Sequence, residues 1–180
     1  MKNKLHLKVN DKTELKTLKR EDAIELFMLI LKNKKWLAKY LEWIPKINNP
    51  YDIIDYISNN EYNSYYDPIF PLAIHYDNKI VGIISFQNGN SFKKEVEIGY
   101  WISEEYSGKG IVTLATKTLI NLAFSLSNIK SILICCEIAN IKSYKIPQNL
   151  KFEFIKEEEG KGYYRDGNPV KLTYQLLKDK

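Results

Sequence analysis

Apolar residues recur along this chain with two different periods, and the switch between them predicts the order of elements. Glu14-Leu15-Lys16-Thr17-Leu18 alternates with period two, as a half-buried strand does, and His6 to Val9 extends or precedes it. From Arg20 to Lys32 the period lengthens, and Ala23, Ile24, Leu26, Phe27, Leu29, Ile30 and Leu31 form the broad apolar face of a helix. Trp36-Leu37 and Tyr40-Leu41 continue as a second helical stretch that Pro45 ends. Asn49-Pro50 then offers an N-cap and a first-turn proline to a helix carrying Ile53, Ile54 and Ile57. Pro71 to Tyr76 and Ile80 to Phe86 read as a hairpin around the turn Asp77-Asn78-Lys79. Gln87 to Lys94 is expected to loop over to a strand at Glu95–Ile102.

Ile111 to Leu126 is the longest predicted helix, with Leu114, Ala115, Leu119, Leu122 and Ala123 on its apolar side. Ser131 to Glu137 is apolar on both faces, the mark of a buried strand. A short helix over Asn140–Leu150 and two strands, Phe154–Glu157 and Val170–Leu177, complete the chain. The order β-α-α-β-β-β-α-β-α-β-β predicts one α/β domain over 1–180, an α+β mixed sheet with flanking helices. No repeat, low-complexity tract or linker divides it.

Composition narrows what such a domain does. The formal net charge of +5 over 180 residues comes almost wholly from lysine, since Arg20 and Arg165 are the only arginines. Base readout and bidentate phosphate clamping favour arginine, so scattered lysine does not indicate a specific nucleic-acid partner. The basic excess would still help to attract an anionic ligand. No apolar run approaches the length of a membrane span, and Met1 to Lys8 lacks the apolar core of a signal peptide, so the expected location is cytoplasmic. Cys135 and Cys136 are adjacent on a strand and point to opposite faces, which disfavours a mutual disulfide. With His6 and His75 far apart and no second cysteine pair, no metal is expected.

Chemistry concentrates between Glu97 and Thr113. Ile98-Gly99-Tyr100-Trp101 ends a strand, Ser107-Gly108-Lys109-Gly110 is a tight loop, and Ile111-Val112 opens a helix. That succession makes an anion site. Main-chain N–H groups are left free at the helix start, the positive end of the helix faces them, and glycine lets a phosphate come close. The nucleoside-triphosphate loop would need Gly-x-x-x-x-Gly-Lys-Ser/Thr, which is absent. The dinucleotide fingerprint fails too, because Thr113 stands where its third glycine should be.

What remains, Gly108-Lys109-Gly110 behind Ile98-Gly99-Tyr100-Trp101, resembles the pyrophosphate loop of the GNAT superfamily of acyl-CoA-dependent N-acetyltransferases, and more closely its RimL/RimJ-like branch of ribosomal-protein N-terminal acetyltransferases. A second point of resemblance is Asn140-x-x-Ser143 followed by Leu150-Lys151-Phe152, where the branch has Leu-Gly-Phe. Lys151 in place of that glycine implies a strained or altered helix end. The resemblance implies a twisted sheet that splays between its fourth and fifth predicted strands to admit acetyl-CoA. It places Ile98, Gly99, Tyr100, Ser107, Gly108, Lys109, Gly110, Ile111, Val112, Asn140 and Ser143 on that co-substrate.

In the family a main-chain N–H of the fourth strand, here near Ile98 or Gly99, serves the thioester carbonyl. Glu97 on the same strand could take the amine's proton, or could be a surface carboxylate among Glu95, Glu104 and Glu105. Many members carry a tyrosine four residues after the position of Ser143, as acid to the leaving thiolate; Pro147 stands there instead, and Ser143 is the replacement the branch offers. Ser143 and Asn140 could equally be ordinary helix-capping residues. Glu105 occupies a position where the superfamily favours Arg or Gln, and it is expected to face outward, away from the phosphates. Trp36, Trp43, Tyr65 and Tyr66 could line the acceptor cleft or belong to the core. Cys136, on a buried strand, reads as packing rather than as an acetyl carrier.

The implied activity is direct acetyl transfer from acetyl-CoA to a primary amine, a protein N-terminus or a small molecule. The competing reading is an acyl-CoA-binding relative without turnover, motivated by Glu105, Lys151 and Pro147. A homodimer is one assembly that the sequence allows.

Overall fold

Alternation within the strands sorts side chains onto the two faces of one eight-stranded sheet, ordered β1-β2-β3-β4-β5-β6-β8-β7. The structure, a computed structural model, describes residues 5–63, 71–90, 94–125, 128–159 and 170–178. Its strands are β1 (His6–Lys8), β2 (Thr13–Thr17), β3 (Pro71–Tyr76), β4 (Lys79–Asn90), β5 (Glu95–Ile102), β6 (Ser131–Glu137), β7 (Glu153–Glu159) and β8 (Val170–Leu177). Its α-helices are α1 (Ala23–Lys32), α2 (Lys34–Leu37), α3 (Pro50–Asn63), α4 (Ile111–Ser125) and α5 (Ile141–Asn149). This is the expected mixed sheet with its short leading strand counted separately.

One face carries α4 and α5 over a core that includes Leu72, Ile74, Ile84, Phe86, Val96, Ile98 and Ile132. The other carries α1 and α3 over Ala73, Ile80 and Ile83, with Trp101 packed against it. Along β5, Val96 and Ile98 therefore look toward α4, and Trp101 looks the other way. The face changes along β4, where Val81 and Ile84 share one core. A register irregularity opposite Ile74/His75 inserts the extra residue that allows this. Gly82 sits at that point because a Cβ there would come within 2.2 Å of the Trp101 carbonyl oxygen.

Several boundaries differ from the sequence reading: β2 is Thr13–Thr17 rather than Glu14–Leu18 and β7 is Glu153–Glu159 rather than Phe154–Glu157. Arg20–Asp22 is a 3-10 turn leading into α1. The second helical stretch stops at Leu37, and a 3-10 turn at Ile44–Lys46 follows. Asn33 causes the earlier break between α1 and α2. Its side chain bonds back to the Leu29 carbonyl and also accepts the Glu104 N–H, so it ties the helix end to the loop after β5. The expected loop from Gln87 is strand as far as Asn90, because the Gln87 and Asn90 main chains keep the ladder with Glu97 and Glu95 despite polar side chains. The N-cap at Asn49 is present: its Oδ1 accepts the N–H groups of Tyr51 and Asp52 at 2.8 and 3.3 Å. Tyr65, Tyr66, Leu126 and Arg165 lie outside the described residues.

The feature that positions the site is a seam. β4 pairs with β5 from Gly82↔Ile102 to Asn90↔Glu95, and β6 pairs with β8 over its whole length. Between these two antiparallel blocks only Glu95↔Ser131, Val96↔Ile132 and Glu97↔Leu133 join, in parallel. Beyond Glu97 and Leu133 the strands part, each held by its outer partner.

Candidate active site

Where β5 and β6 part, a cavity of about 340 Å³ opens, walled by the C-terminal half of β5, the glycine loop, α5 and the α2 segment. From Ile98 onward β5 has no β6 ladder partner, so main-chain groups on that edge are left for a ligand. The splay expected from the resemblance is therefore present, between β5 and β6.

The glycine loop is shaped by its backbone. After a 3-10 turn at Glu104–Tyr106, Gly108 takes φ +81° and Gly110 φ +76°. A Cβ at either would meet nothing within 4 Å, so conformation rather than crowding requires glycine, and the space above the loop stays open. Leu114 N–H bonds to the Gly110 carbonyl at 3.1 Å, which starts α4 and leaves the earlier N–H groups of that turn without helical partners. Lys109 lies back over the Tyr106 ring, 4.8 Å from its centroid. Glu105 faces outward as expected: Lys32 pairs with it at 3.0 Å and holds its carboxyl below the usual carboxylate value.

The opposite wall is α5. Asn140 is its N-cap, accepting the Ser143 N–H on Oδ1 at 3.2 Å. From across the cleft, the Tyr100 hydroxyl donates to the Ser143 carbonyl at 3.0 Å. Burial raises the Tyr100 phenol far above its ordinary value, so it stays protonated and a donor. At the other end of α5, Lys151 adopts φ +62°, the left-handed conformation that glycine supplies elsewhere in the branch.

Of the residues singled out by sequence, Tyr100, Ser107, Gly108, Gly110, Ile111, Val112, Asn140 and Ser143 line the one cavity. Ile98 is buried under α4, Gly99 is filled over by the Gln87 amide, and the Lys109 side chain lies on the Tyr106 ring rather than on the cavity wall. Glu97 also stays off the cavity wall, accepting from Gln87 Nε2 at 3.3 Å on the face that carries α1 and α3. Trp36 is at the cavity, its indole N–H donating to the Ile102 carbonyl at 3.3 Å, with Lys142 and Lys39 5.2 and 5.4 Å from its ring. Trp43 instead packs against Tyr56 and Trp101, at 6.2 and 6.5 Å between centroids. Lys142 and Ile146 had not been singled out by sequence. They share a helical face with Asn149, a spacing of four and three that would have revealed them. Burial pushes the Cys136 thiol up to about 12, which removes it as a nucleophile at neutral pH. Among the described residues, no group of three or more His, Cys, Asp or Glu side chains is placed to hold a metal.

Comparison with known proteins decides what this cleft belongs to. A family model described as the acetyltransferase (GNAT) domain matches residues 12–153. The chain belongs to the GNAT acetyltransferase family. As a GNAT acetyltransferase it takes its acetyl group from acetyl-CoA. It is 32% identical to the Bacillus subtilis (strain 168) protein YdaF, whose name proposes a ribosomal N-acetyltransferase, over 94% of this chain and 93% of that one. It is 29% identical to the ribosomal-protein-serine acetyltransferase of Escherichia coli (strain K12), over 84% and 83% of the two chains. Among solved structures, the microcin C7 self-immunity acetyltransferase MccE, in complex with acetyl-CoA and AMP, superimposes with a TM-score of 0.87 at 28% identity, covering 94% of each chain. A RimL ribosomal L7/L12 α-N-protein acetyltransferase in complex with coenzyme A gives a TM-score of 0.90 at 21% identity, covering 96% of this chain and 98% of that one, and shows the shared GNAT fold.

Proposed function

We propose that this GNAT acetyltransferase modifies the N-terminal α-amine of a ribosomal protein, with acetyl-CoA bound in the β5/β6 cleft. The observation that carries the reading is the junction itself: a parallel seam that ends at Glu97/Leu133, and past it a cavity shared by the freed end of β5 and a loop with left-handed Gly108 and Gly110. A narrow cleft takes the extended arm of the coenzyme, and the loop with the start of α4 takes its pyrophosphate. The substrate class comes from the two curated relatives, both named for ribosomal substrates.

The chemistry asks little of side chains. The neutral amine attacks the thioester carbonyl, a β5 main-chain N–H near Ile98 or Gly99 steadies the oxyanion, and the C–S bond breaks. Ser143, half-buried on the cavity wall, donates a hydrogen bond to the departing sulfur. The amine's proton leaves to water or, through water, to Glu97. An α-amine has a pKa near 7.7–8.0, below that of a lysine side chain, so a strong base is unnecessary. Two of the departures that would argue for lost turnover are accommodated, since Glu105 points away to Lys32 and Lys151 keeps the left-handed conformation; Pro147 leaves the acid's role to Ser143.

The test is turnover with acetyl-CoA and short synthetic peptides bearing ribosomal N-termini, read as thiol release and peptide mass. The expected result is acetylation of the free α-amine only. A preference for internal lysine, or for polyamines over peptides, would overturn the substrate assignment while leaving the acetyltransferase in place.

A further inference from the structure

Helix α5 carries a proline where its own hydrogen-bonding needs an amide. Pro147 stands four residues after Ser143, inside the helix. Its ring nitrogen has no hydrogen to offer the Ser143 carbonyl, and the ring presses that same carbonyl away from the helix axis. A helix-interior carbonyl treated in this way needs a partner from elsewhere. That partner comes from the other side of the cleft, where the Tyr100 hydroxyl donates to it at 3.0 Å.

Tyr100 lies on the part of β5 that has already left β6, since pairing ends at Glu97↔Leu133. The bond therefore crosses the gap that the coenzyme must enter, joining two walls with no strand ladder at that level. Both main-chain groups of Ser143 are thereby bound, the N–H by Asn140 and the carbonyl by Tyr100. Pro147 is itself fixed: it is buried, and its own carbonyl accepts the N–H groups of Leu150 and Phe152 at 3.1 and 3.0 Å. What stays free at Ser143 is the rotation of its hydroxyl. The half-buried phenol, its pKa raised by desolvation, remains a donor throughout the neutral range.

We propose that Pro147 and Tyr100 act as a pair, the proline freeing the Ser143 carbonyl and the tyrosine hydroxyl taking it, so that α5 is latched to β5 and the Ser143 Oγ is held facing the cleft. Tyr100 is thus a positioning residue acting through Ser143. The effect on turnover rests on the role given to Ser143 above; the latch itself does not.

The experiment is a two-by-two cycle of Tyr100→Phe and Pro147→Ala in the full chain, with steady-state kinetics, calorimetric acetyl-CoA binding and thermal unfolding on each protein. Alanine restores an N–H at position 147, giving the Ser143 carbonyl a partner within its own helix. Losing the phenol hydroxyl should lower kcat about tenfold in the Pro147 background, with the acetyl-CoA Kd changed by less than about threefold. In the Pro147→Ala background the same loss should cost about twofold or less. The drop in melting temperature should shrink in the same way.

Equal losses of kcat in both backgrounds would overturn the pairing and make the phenol a group that acts directly on coenzyme or substrate. Coupling in melting temperature without coupling in kcat would overturn the positioning role and reduce the contact to a brace. If the unmodified protein turns over no amine, the functional reading fails separately. The melting-temperature cycle still decides the latch, and equal losses there overturn it.

Discussion

The two walls of the cleft are built by different means. The β5 wall is made of main chain: a strand edge without a ladder partner, two glycines with positive φ, and the opening turn of α4. The α5 wall is made of side chains and exceptions, with an asparagine cap, a proline inside the helix, a lysine in a glycine conformation and a hydroxyl reaching over from Tyr100. The first wall binds through groups that every residue possesses, so it constrains the sequence mainly where the backbone takes a conformation that glycine alone adopts easily. The second holds its geometry through particular pairs, and one pair spans 43 positions of the chain.

The largest effect should come from breaking the main-chain wall. Gly108→Glu places a carboxylate over the anion site and forces a side chain into a φ of +81°. The acetyl-CoA Kd is expected to rise by on the order of a hundredfold, through lost charge-assisted bonds and added repulsion. Gly108→Ala is the control that separates the two causes. A Cβ there meets nothing within 4 Å, so alanine brings only the backbone strain of about 1–2 kcal/mol. Calorimetry on both variants sharpens the comparison. If alanine is as harmful as glutamate, conformation dominates; if glutamate binds normally, the pyrophosphate does not lie on this loop.

The next effect tests the side-chain wall. Ser143→Ala removes the hydroxyl while leaving the Asn140 cap and the Tyr100 bond intact, since both use Ser143 main-chain atoms. We expect kcat to fall by about ten- to a hundredfold with little change in the acetyl-CoA Kd. A loss of affinity with kcat preserved would instead make Ser143 part of the binding surface. The expected outcome separates the two walls, one through Kd and the other through kcat; the alternative makes both of them binding surfaces.

The same contrast explains what could be read from the sequence. The order of elements along the chain, the glycine loop and the start of α4 were legible because period-two and helical patterns, and the Gly108/Gly110 pair, are local consequences of backbone geometry. The seam was not legible from pattern alone. Ile98 to Ile102 alternates like any strand, and nothing local says that β6 leaves it after Leu133; that follows from β8 pairing with β6 along its whole length. Pro147 was visible as a departure, but its consequence depends on a hydroxyl supplied by β5. The break at Asn33 depends on a similar distant partner, because its side chain takes the Glu104 N–H from another part of the chain. Strand β4 was read short because Gln87 and Asn90 pair, across a register shift, through main-chain groups that a polar sequence does not reveal.

The smallest effect concerns Lys151, where a strained conformation has been kept rather than rebuilt. The Phe152 N–H bonds to the Pro147 carbonyl at 3.0 Å and the Lys151 N–H to the Gln148 carbonyl at 3.1 Å, the two bonds of a Schellman helix end, with Phe152 buried beside it. Lysine holds the left-handed position at φ +62°, at a cost glycine would not incur. Lys151→Gly should therefore stabilise the fold by about 1 kcal/mol, less part of the extra entropy glycine gives the unfolded chain. Urea unfolding would show a higher midpoint at unchanged slope. Turnover should stay within about twofold of the parent, because the cap geometry is already that of glycine. If stability rises and kcat falls together, strain at the end of α5 is transmitted through Pro147 to Ser143, and the α5 wall works as one unit from its cap to the cleft. If only stability changes, the Tyr100 bond isolates Ser143 from the helix end, and the wall divides at Pro147.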